Sequence, residues 1–418
     1  MKHDLVLGLG GCVDYEIEWD PGVIENLVAR LGIGPGELDR GTGVVDERSL
    51  VVSLLAFVRD GVGGERALAS SDIGRRFAEL FGYRVTLGGT CVRAALAIAQ
   101  LGVPSTVHLV SIDENVRRLL PAEVGYLSSA SHDTLDPHVI VQFPEGARIR
   151  VGDDVIVSPS ANRVIYVDDP PNREMVLSPR LPDLLEQARA FLACGFNVML
   201  DPDKVRDRIA FLQSAMTRLP ADALVFYEDA GFHDPSMRAV ISQDYRGRID
   251  VHSLNEDELQ SYLGRPVDLL DVDDVVSALR EFQPFALGPT VVVHTKHWAL
   301  AYGARVAQLG PSLAAGIDLA GTRFRVGDVI TAVDLQHTQW LPRQAAGEAF
   351  AVAISARLGD AVCCIPARVL DVTRPTTVGL GDTFVGGFLA EFVYPGTLAE
   401  APDAGRAGAP LVNGSIGC

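Results

Sequence analysis

Three familiar signatures of nucleotide or acyl-transfer chemistry are missing from this chain. It has no G-x-x-x-x-G-K-[ST] phosphate loop and no G-x-S-x-G nucleophile elbow. The early Gly8-Leu9-Gly10-Gly11 is not a dinucleotide turn, because Val13 and Asp14 stand where a third glycine is needed. Cysteine is sparse and scattered, at positions 12, 91, 194, 363, 364 and 418, with no C-x-x-C pair and no His/Cys cluster at metal-ligand spacing. That distribution argues against a disulfide framework or a zinc site. Basic residues are also short, Lys+Arg 36 against Asp+Glu 54, a formal charge of −18. This balance disfavours nucleic acid or an anionic membrane surface as the main partner. The N-terminal MKHDLVLGLGGCVDYE has one lysine and an apolar run too short to span a bilayer, without a cleavage pattern, so the expected location is cytoplasmic.

What remains is a chain of 418 residues, 48% hydrophobic, long enough for a large core and more than one domain. LVLGLG (5–10) reads as a first strand, with Asp14 just past the edge where ligands bind in open α/β sheets. The amphipathic segments GVIENLVARLG, ERSLVVSLLAFVRDG and SSDIGRRFAELFGYRV read as helices of a smaller lobe. Gly88-Gly89-Thr90 opens the helix CVRAALAIAQLG, and STVHLVS follows as a strand. Between 124 and 170 the pattern is β-rich, with a hairpin at ARIRVGDDVIV. Beyond 180, LLEQARAFLACG reads as helix, FNVMLD as strand, IAFLQSAMTRL as helix and ALVFYED as strand. MRAVISQDY, RIDVHSL, NEDELQSYLG, VDDVVSALREF and TVVVHT continue the alternation, which predicts a mostly parallel sheet covered by helices. The stretch from 396 to 418 has no apolar period and reads as a loose tail.

The chemistry concentrates in TVGLGDTFVGGFLAEFV. Gly379-Leu380-Gly381 lets backbone N–H groups approach an anion, and Asp382 at the start of the following helix can take a proton from an attacking hydroxyl. By itself the motif is equally a glycine turn with a capping aspartate. Asn255 and Glu258 share a helix face after RIDVHSL and can hold Mg²⁺ through water, or simply cap that helix. Glu228 ends a strand at the same edge. Arg148, Arg150 and Arg163 form a basic island suited to a phosphate, or merely scattered surface charge. His294, in an apolar strand, reads as a satisfied core histidine.

In order, these pieces resemble the ADP-dependent glucokinase and phosphofructokinase family, a branch of the ribokinase-like sugar kinases, over about 5–393. IPARVLDVTRPTTVGLGDTFVGGFLAE is similar to the family's closing G-x-G-D segment, HSLNEDEL to its N-x-x-E, and VVVHTKHWALA to its HT-containing strand. VIVQFPEG with SPSANRVIYVDD is similar to the return of an extended lobe to the main sheet. The resemblance implies a three-layer α/β/α main domain (1–16, 81–117 and 163–395) and a β-rich α+β lid (17–80 and 118–162). It implies Asp382 as base with Gly379, Leu380 and Gly381 as anion hole, and Mg²⁺ organised by Glu228, Asn255 and Glu258. Asp14, Gly88, Gly89 and Thr90 are then implied at the acceptor, Arg163 at a phosphate, and Thr295, Trp298 and Val378 around adenine. Two departures stand out: Phe226 replaces the histidine of H-x-E, and Thr90 replaces an asparagine. The expected activity is phosphoryl transfer from ADP to a sugar or sugar-like hydroxyl. An ATP-dependent sugar or nucleoside kinase and a catalytically silent sugar or nucleotide sensor stay open, as do the acceptor and the oligomeric state.

Overall fold

The computed structural model describes residues 4–245, 247–372, 376 and 378–398. Its strands are β1 (Leu5–Leu7), β2 (Cys12–Ile17), β3 (Gly64–Ala67), β4 (Tyr83–Gly88), β5 (Ser105–Leu109), β6 (Val124–Ser128), β7 (His138–Phe143) and β8 (Arg148–Val151). They continue as β9 (Asp154–Val157), β10 (Asn162–Val167), β11 (Ala190–Ala193), β12 (Leu224–Glu228), β13 (Val251–Asn255), β14 (Thr290–His294), β15 (Trp298–Gly303) and β16 (Val362–Pro366). The chain divides into two compact units, 1–99 with 104–250, and 100–103 with 251–418.

In the first unit, parallel strands run in the order β12-β11-β1-β5-β6. Parallel strands are buried on both faces and read as continuous apolar runs, as LVL and AFLA do here. That is why the expected helix over LLEQARAFLACG fails. Only Leu181–Leu185 is helical, and Ala190–Ala193 pairs with both β1 and β12. A short apolar run has no period that separates a buried strand from a helix. The expected strand FNVMLD is likewise a single 3₁₀ turn, Phe196–Val198.

The same unit carries a second sheet, β3-β10-β7-β2-β4, and a two-stranded hairpin, β8-β9. Its helix Glu47–Asp60 is buried at every position from Leu50 to Val58, so it has no solvent face along most of its length. Asp46 caps its start through the Ser49 amide, and Gly61 at φ 63 ends it.

This second sheet differs from the expected lid boundaries. The chain leaves the parallel sheet after Leu7 rather than at 16, since β2 already pairs with β4 and β7. β4 and most of β10 lie outside 17–80 and 118–162 yet belong to the second sheet, whereas β6 lies inside that range and pairs with β5. Asp14 is therefore a residue of the second sheet, not of the loop past β1.

In the second unit, β13 and β14 are parallel, and β15 and β16 follow antiparallel in the order β13-β14-β15-β16. Helix Leu380–Val393 packs on helix Gly310–Val326. A Cβ on Gly387 would lie 3.1 Å from the Gly316 Cα, so this glycine permits backbone contact between two helices. Gly396 and Leu398 amides donate to Glu391 at 2.7 and 3.0 Å, which ties down the start of the expected tail. The rest of that tail, from 399, lies outside the described residues, as do 373–375 and 377 of the closing motif. No described helix is long and apolar enough to cross a membrane.

Candidate active site

The first unit gathers a buried polar cluster around Asp14. Residues 12 and 14 of β2 point to the same face, and the register sets Asp14 opposite His138 of β7 and Cys12 opposite Gly88 of β4. Asp14 Oδ2 accepts from Arg93 Nη2 at 2.5 Å, and both side chains are below 10% exposed (3% and 9%). Arg93 sits one turn into the helix Thr90–Ala99, its amide bonded to the Gly89 carbonyl. Gly89 has φ +87 and its Cβ would lie 2.9 Å from the Gly11 Cα, so the double glycine lets two backbone turns touch. Thr90 is the first residue of the helix and half-buried.

On the other oxygen, Cys12 Sγ donates to Asp14 Oδ1 at 3.3 Å, and His138 Nδ1 lies 3.8 Å from the same atom. His138 Nε2 reaches Asp169 Oδ2 at 2.9 Å. A carboxylate only accepts, so this nitrogen carries the hydrogen. Asp169 is held in turn by the Asn172 side chain at 2.6 Å and the Asn172 amide at 3.0 Å. Burial and the neighbouring Asp14 carboxylate push the Cys12 thiol up to about 12. Burial opposes the charged imidazole of His138, but the Cys12 sulfur and the Asp169 bond more than offset it, so His138 is held well above its ordinary value.

The three arginines of the expected basic island belong to two different sheets. Arg148 and Arg150 are exposed on β8, alternating with buried Ile149 and Val151, while Arg163 is half-buried on β10. Arg163 acts on Glu65, whose carboxylate bonds His233 at 2.9 Å. Burial, the largest single influence, would raise the Glu65 carboxyl, yet the His233 bond together with the charges of His233, His138 and Arg163 holds the group below its ordinary value. Glu228 ends β12 buried at 6% exposure rather than exposed, and Phe226 is a fully buried core residue two positions earlier.

In the second unit, Gly379 has φ 71 and caps the helix Leu380–Val393, placing Asp382 at its third residue, half-buried. The first-turn amides have no i−4 carbonyl within the helix and carry the positive end of its dipole. The loop is anchored beneath: Arg323 Nε donates to the Val378 carbonyl at 2.9 Å, while its Nη2 bonds Asp328 at 2.6 Å. The Thr383 hydroxyl donates to the Gly379 carbonyl at 2.8 Å. His294 borders the same turn. It stacks on Phe384 at 4.5 Å, and a Cβ on Gly381 would meet its ring at 3.3 Å. It is buried as expected, and it lies beside the Gly379–Asp382 turn.

Asn255 and Glu258 form a capping box. Asn255 Oδ1 accepts from the amides of Asp257 and Glu258 at 2.8 and 2.9 Å, and Glu258 Oε2 accepts from the Asn255 amide at 2.8 Å. Their hard oxygens suit Mg²⁺, with the capping atoms already engaged, so the fit is through bound water. Thr295 closes the β14–β15 turn, its Oγ1 accepting from the His297 and Trp298 amides at 3.1 Å each. Trp298, expected beside adenine, is a correction. It is fully buried, stacked on Phe350 at 5.1 Å and bonded through Nε1 to the Leu269 carbonyl at 2.7 Å. A ring closed in on all sides offers no face to a base.

Residues 3–271 match the model of the ADP-specific phosphofructokinase/glucokinase conserved region. The chain belongs to this family. The matched stretch takes in Asp14, His138, Glu228 and Asn255 and ends before Gly379–Asp382. No curated protein matches. Among solved structures, the chain resembles a hypothetical ADP-dependent phosphofructokinase from Pyrococcus horikoshii OT3, at 18% identity and TM-score 0.73 over 94% of this chain and 98% of that one. It resembles the last common ancestor of ADP-dependent phosphofructokinases from Methanosarcinales, at 16% identity and TM-score 0.72 over 94% of each chain. It also resembles an ADP-dependent kinase in complex with fructose-6-phosphate and ADPβS, at 16% identity and TM-score 0.67 over 93% of each. These neighbours show that the chain shares their α/β fold.

Missing from the sequence-based set are Arg93, His138, Asp169 and Arg323. Arg93 alone left a local trace, one helical turn after the double glycine. The others come from distant segments with no shared spacing.

Proposed function

We propose that the protein transfers the terminal phosphoryl group of ADP to a hydroxyl of a sugar or sugar phosphate. The observation that carries this reading is Asp382 in the first turn of a buried helix opened by a left-handed glycine. The Asp382 carboxylate takes the proton of the acceptor hydroxyl as the new O–P bond forms. The bond from the terminal phosphorus to its bridging oxygen breaks, and AMP leaves. The amides of Gly379, Leu380 and Gly381 stabilise charge on the phosphoryl oxygens as it moves. Mg²⁺, held through waters by Asn255 and Glu258, would neutralise phosphate charge.

Asp14, Gly88, Gly89 and Thr90 are assigned to the acceptor, with Arg93 Nη2 holding the Asp14 carboxylate in place. Arg163 is assigned to a phosphate, and Thr295 and Val378 to the nucleotide. The second sheet of the first unit is the proposed lid, which excludes water that would otherwise take the phosphoryl group. A cytoplasmic location fits such a kinase. Purified protein assayed with ADP or ATP against hexoses, hexose phosphates and nucleosides tests the reading. Turnover is expected with ADP and Mg²⁺ on a sugar or sugar phosphate. Turnover confined to ATP would refute the donor assignment, and none with any pair would refute the kinase.

A further inference from the structure

The cluster on β2 and β7 has a donor set that phosphoryl transfer does not call for. Cys12, Asp14 and His138 present one sulfur, one oxygen and one nitrogen, all within 4.8 Å of one another. Zn²⁺ bonds of about 2.3 Å to sulfur and about 2.0–2.2 Å to nitrogen or oxygen, at tetrahedral angles, place their donors roughly 3.4–3.6 Å apart. The separations here are 3.3 Å from Cys12 Sγ to Asp14 Oδ1 and 3.8 Å from His138 Nδ1 to the same oxygen. Little movement converts this hydrogen-bonded triad into a ligand triad.

Two further contacts point the same way. His138 gives its Nε2 hydrogen to Asp169, which Asn172 fixes in turn, so Nδ1 is turned toward Cys12 and Asp14. A carboxylate behind the far nitrogen of a histidine is the usual support of a metal ligand. Arg93 Nη2 binds Asp14 Oδ2, while Cys12 Sγ and His138 Nδ1 both lie on the side of Oδ1. A thiol among the donors selects a borderline or soft ion, and Mg²⁺ is a poor fit.

We propose that Cys12, Asp14 and His138 form a Zn²⁺ site that closes the acceptor position. Binding releases the Cys12 thiol proton, and any proton on His138 Nδ1, to solvent. The remaining coordination positions are left to water. The metal site stands on geometry alone. Its blocking effect rests on the acceptor role of Asp14 proposed above, and the two are read by different measurements.

Co²⁺ is added to chelator-treated full-length protein as a spectroscopic stand-in for Zn²⁺. One equivalent should give a thiolate-to-cobalt absorption band. The band should be absent in Cys12→Ser, retained in Cys363→Ser, and should need about 10–100-fold more Co²⁺ in Asp169→Asn, the usual loss for a supporting carboxylate. No band in the unmodified protein, or a band unchanged by Cys12→Ser, overturns the site. The unmodified protein needs no variant to fold, and circular dichroism checks the variants. Zn²⁺ should then inhibit turnover of the unmodified enzyme, with inhibition relieved by acceptor but not by ADP. A cobalt band without relief by acceptor overturns the blocking effect while leaving the metal site in place. Failure of the kinase reading itself would appear in the donor-by-acceptor screen, not in the cobalt spectrum.

Discussion

Replacing Arg93 by methionine tests whether the buried pair with Asp14 organises this region. The two charges meet at 2.5 Å with side-chain exposures of 9% and 3%, so solvent screening does not weaken the loss as it does for a surface pair. Methionine keeps much of the packing volume but strands Asp14 Oδ2, leaving the His138 ring, 3.8 Å from the other oxygen, as the neighbouring cation. Breaking a buried pair from one side is destabilising by about 3–5 kcal/mol. At about 1.4 kcal/mol per decade, that is a rise of roughly two to three and a half decades in the unfolded-to-folded ratio. Urea titration followed by circular dichroism measures it directly. The double variant Arg93→Met with Asp14→Asn removes both charges and should recover a large part of the loss, because the penalty lies in the orphaned carboxylate rather than in the missing attraction. A loss below about 1 kcal/mol in the single variant, the surface-pair range, would refute the argument, as would a double variant no more stable than the single one.

Asp382→Ala should lower turnover at least about 100-fold in steady-state kinetics, the lower end for removing a general base, with near-native unfolding; unchanged turnover would exclude it as the base. Gly89→Ala forces a side chain into φ +87 against the Gly11 Cα, and should destabilise by about 1–3 kcal/mol in denaturant titration. His108 is held down to about 4 by burial. Its folded value lies below the unfolded 6.5, so the stability from burying it neutral is complete above about pH 6.5 and disappears as pH falls toward 4. The stability gap between the unmodified protein and His108→Gln should therefore narrow from pH 7 to pH 5, and a pH-independent gap would count against this assignment.

Local signals in the chain carried a long way. Helix starts at Asp46, Asn255 and Asp271 were legible because a short polar side chain meets amides two or three residues ahead, whereas the start at Asp201 was hidden inside the expected strand FNVMLD. The hairpin at Gly152 and the helix after Gly379 were legible because a glycine takes the left-handed backbone each turn adopts, φ 62 and φ 71. β11 was not, because AFLA becomes a strand only when β1 and β12 flank it. Nor was the burial of Trp298, since nothing in HTKHWALA says which ring will meet Phe350.

By itself the sequence determined the reaction class to test. The spacing of Gly379, Gly381 and Asp382, and their order after Asp14, Gly88-Gly89, Glu228 and Asn255, are properties of the linear chain. Only the tertiary structure decided what surrounds Asp14. Cys12 and Asp14 are neighbours in sequence, but His138, Arg93 and Asp169 reach them through strand register and a helix turn, and register is set by pairing across the sheet. A scan of cysteine and histidine spacing therefore finds no metal site here, although three donors from two strands stand within bonding reach of one ion.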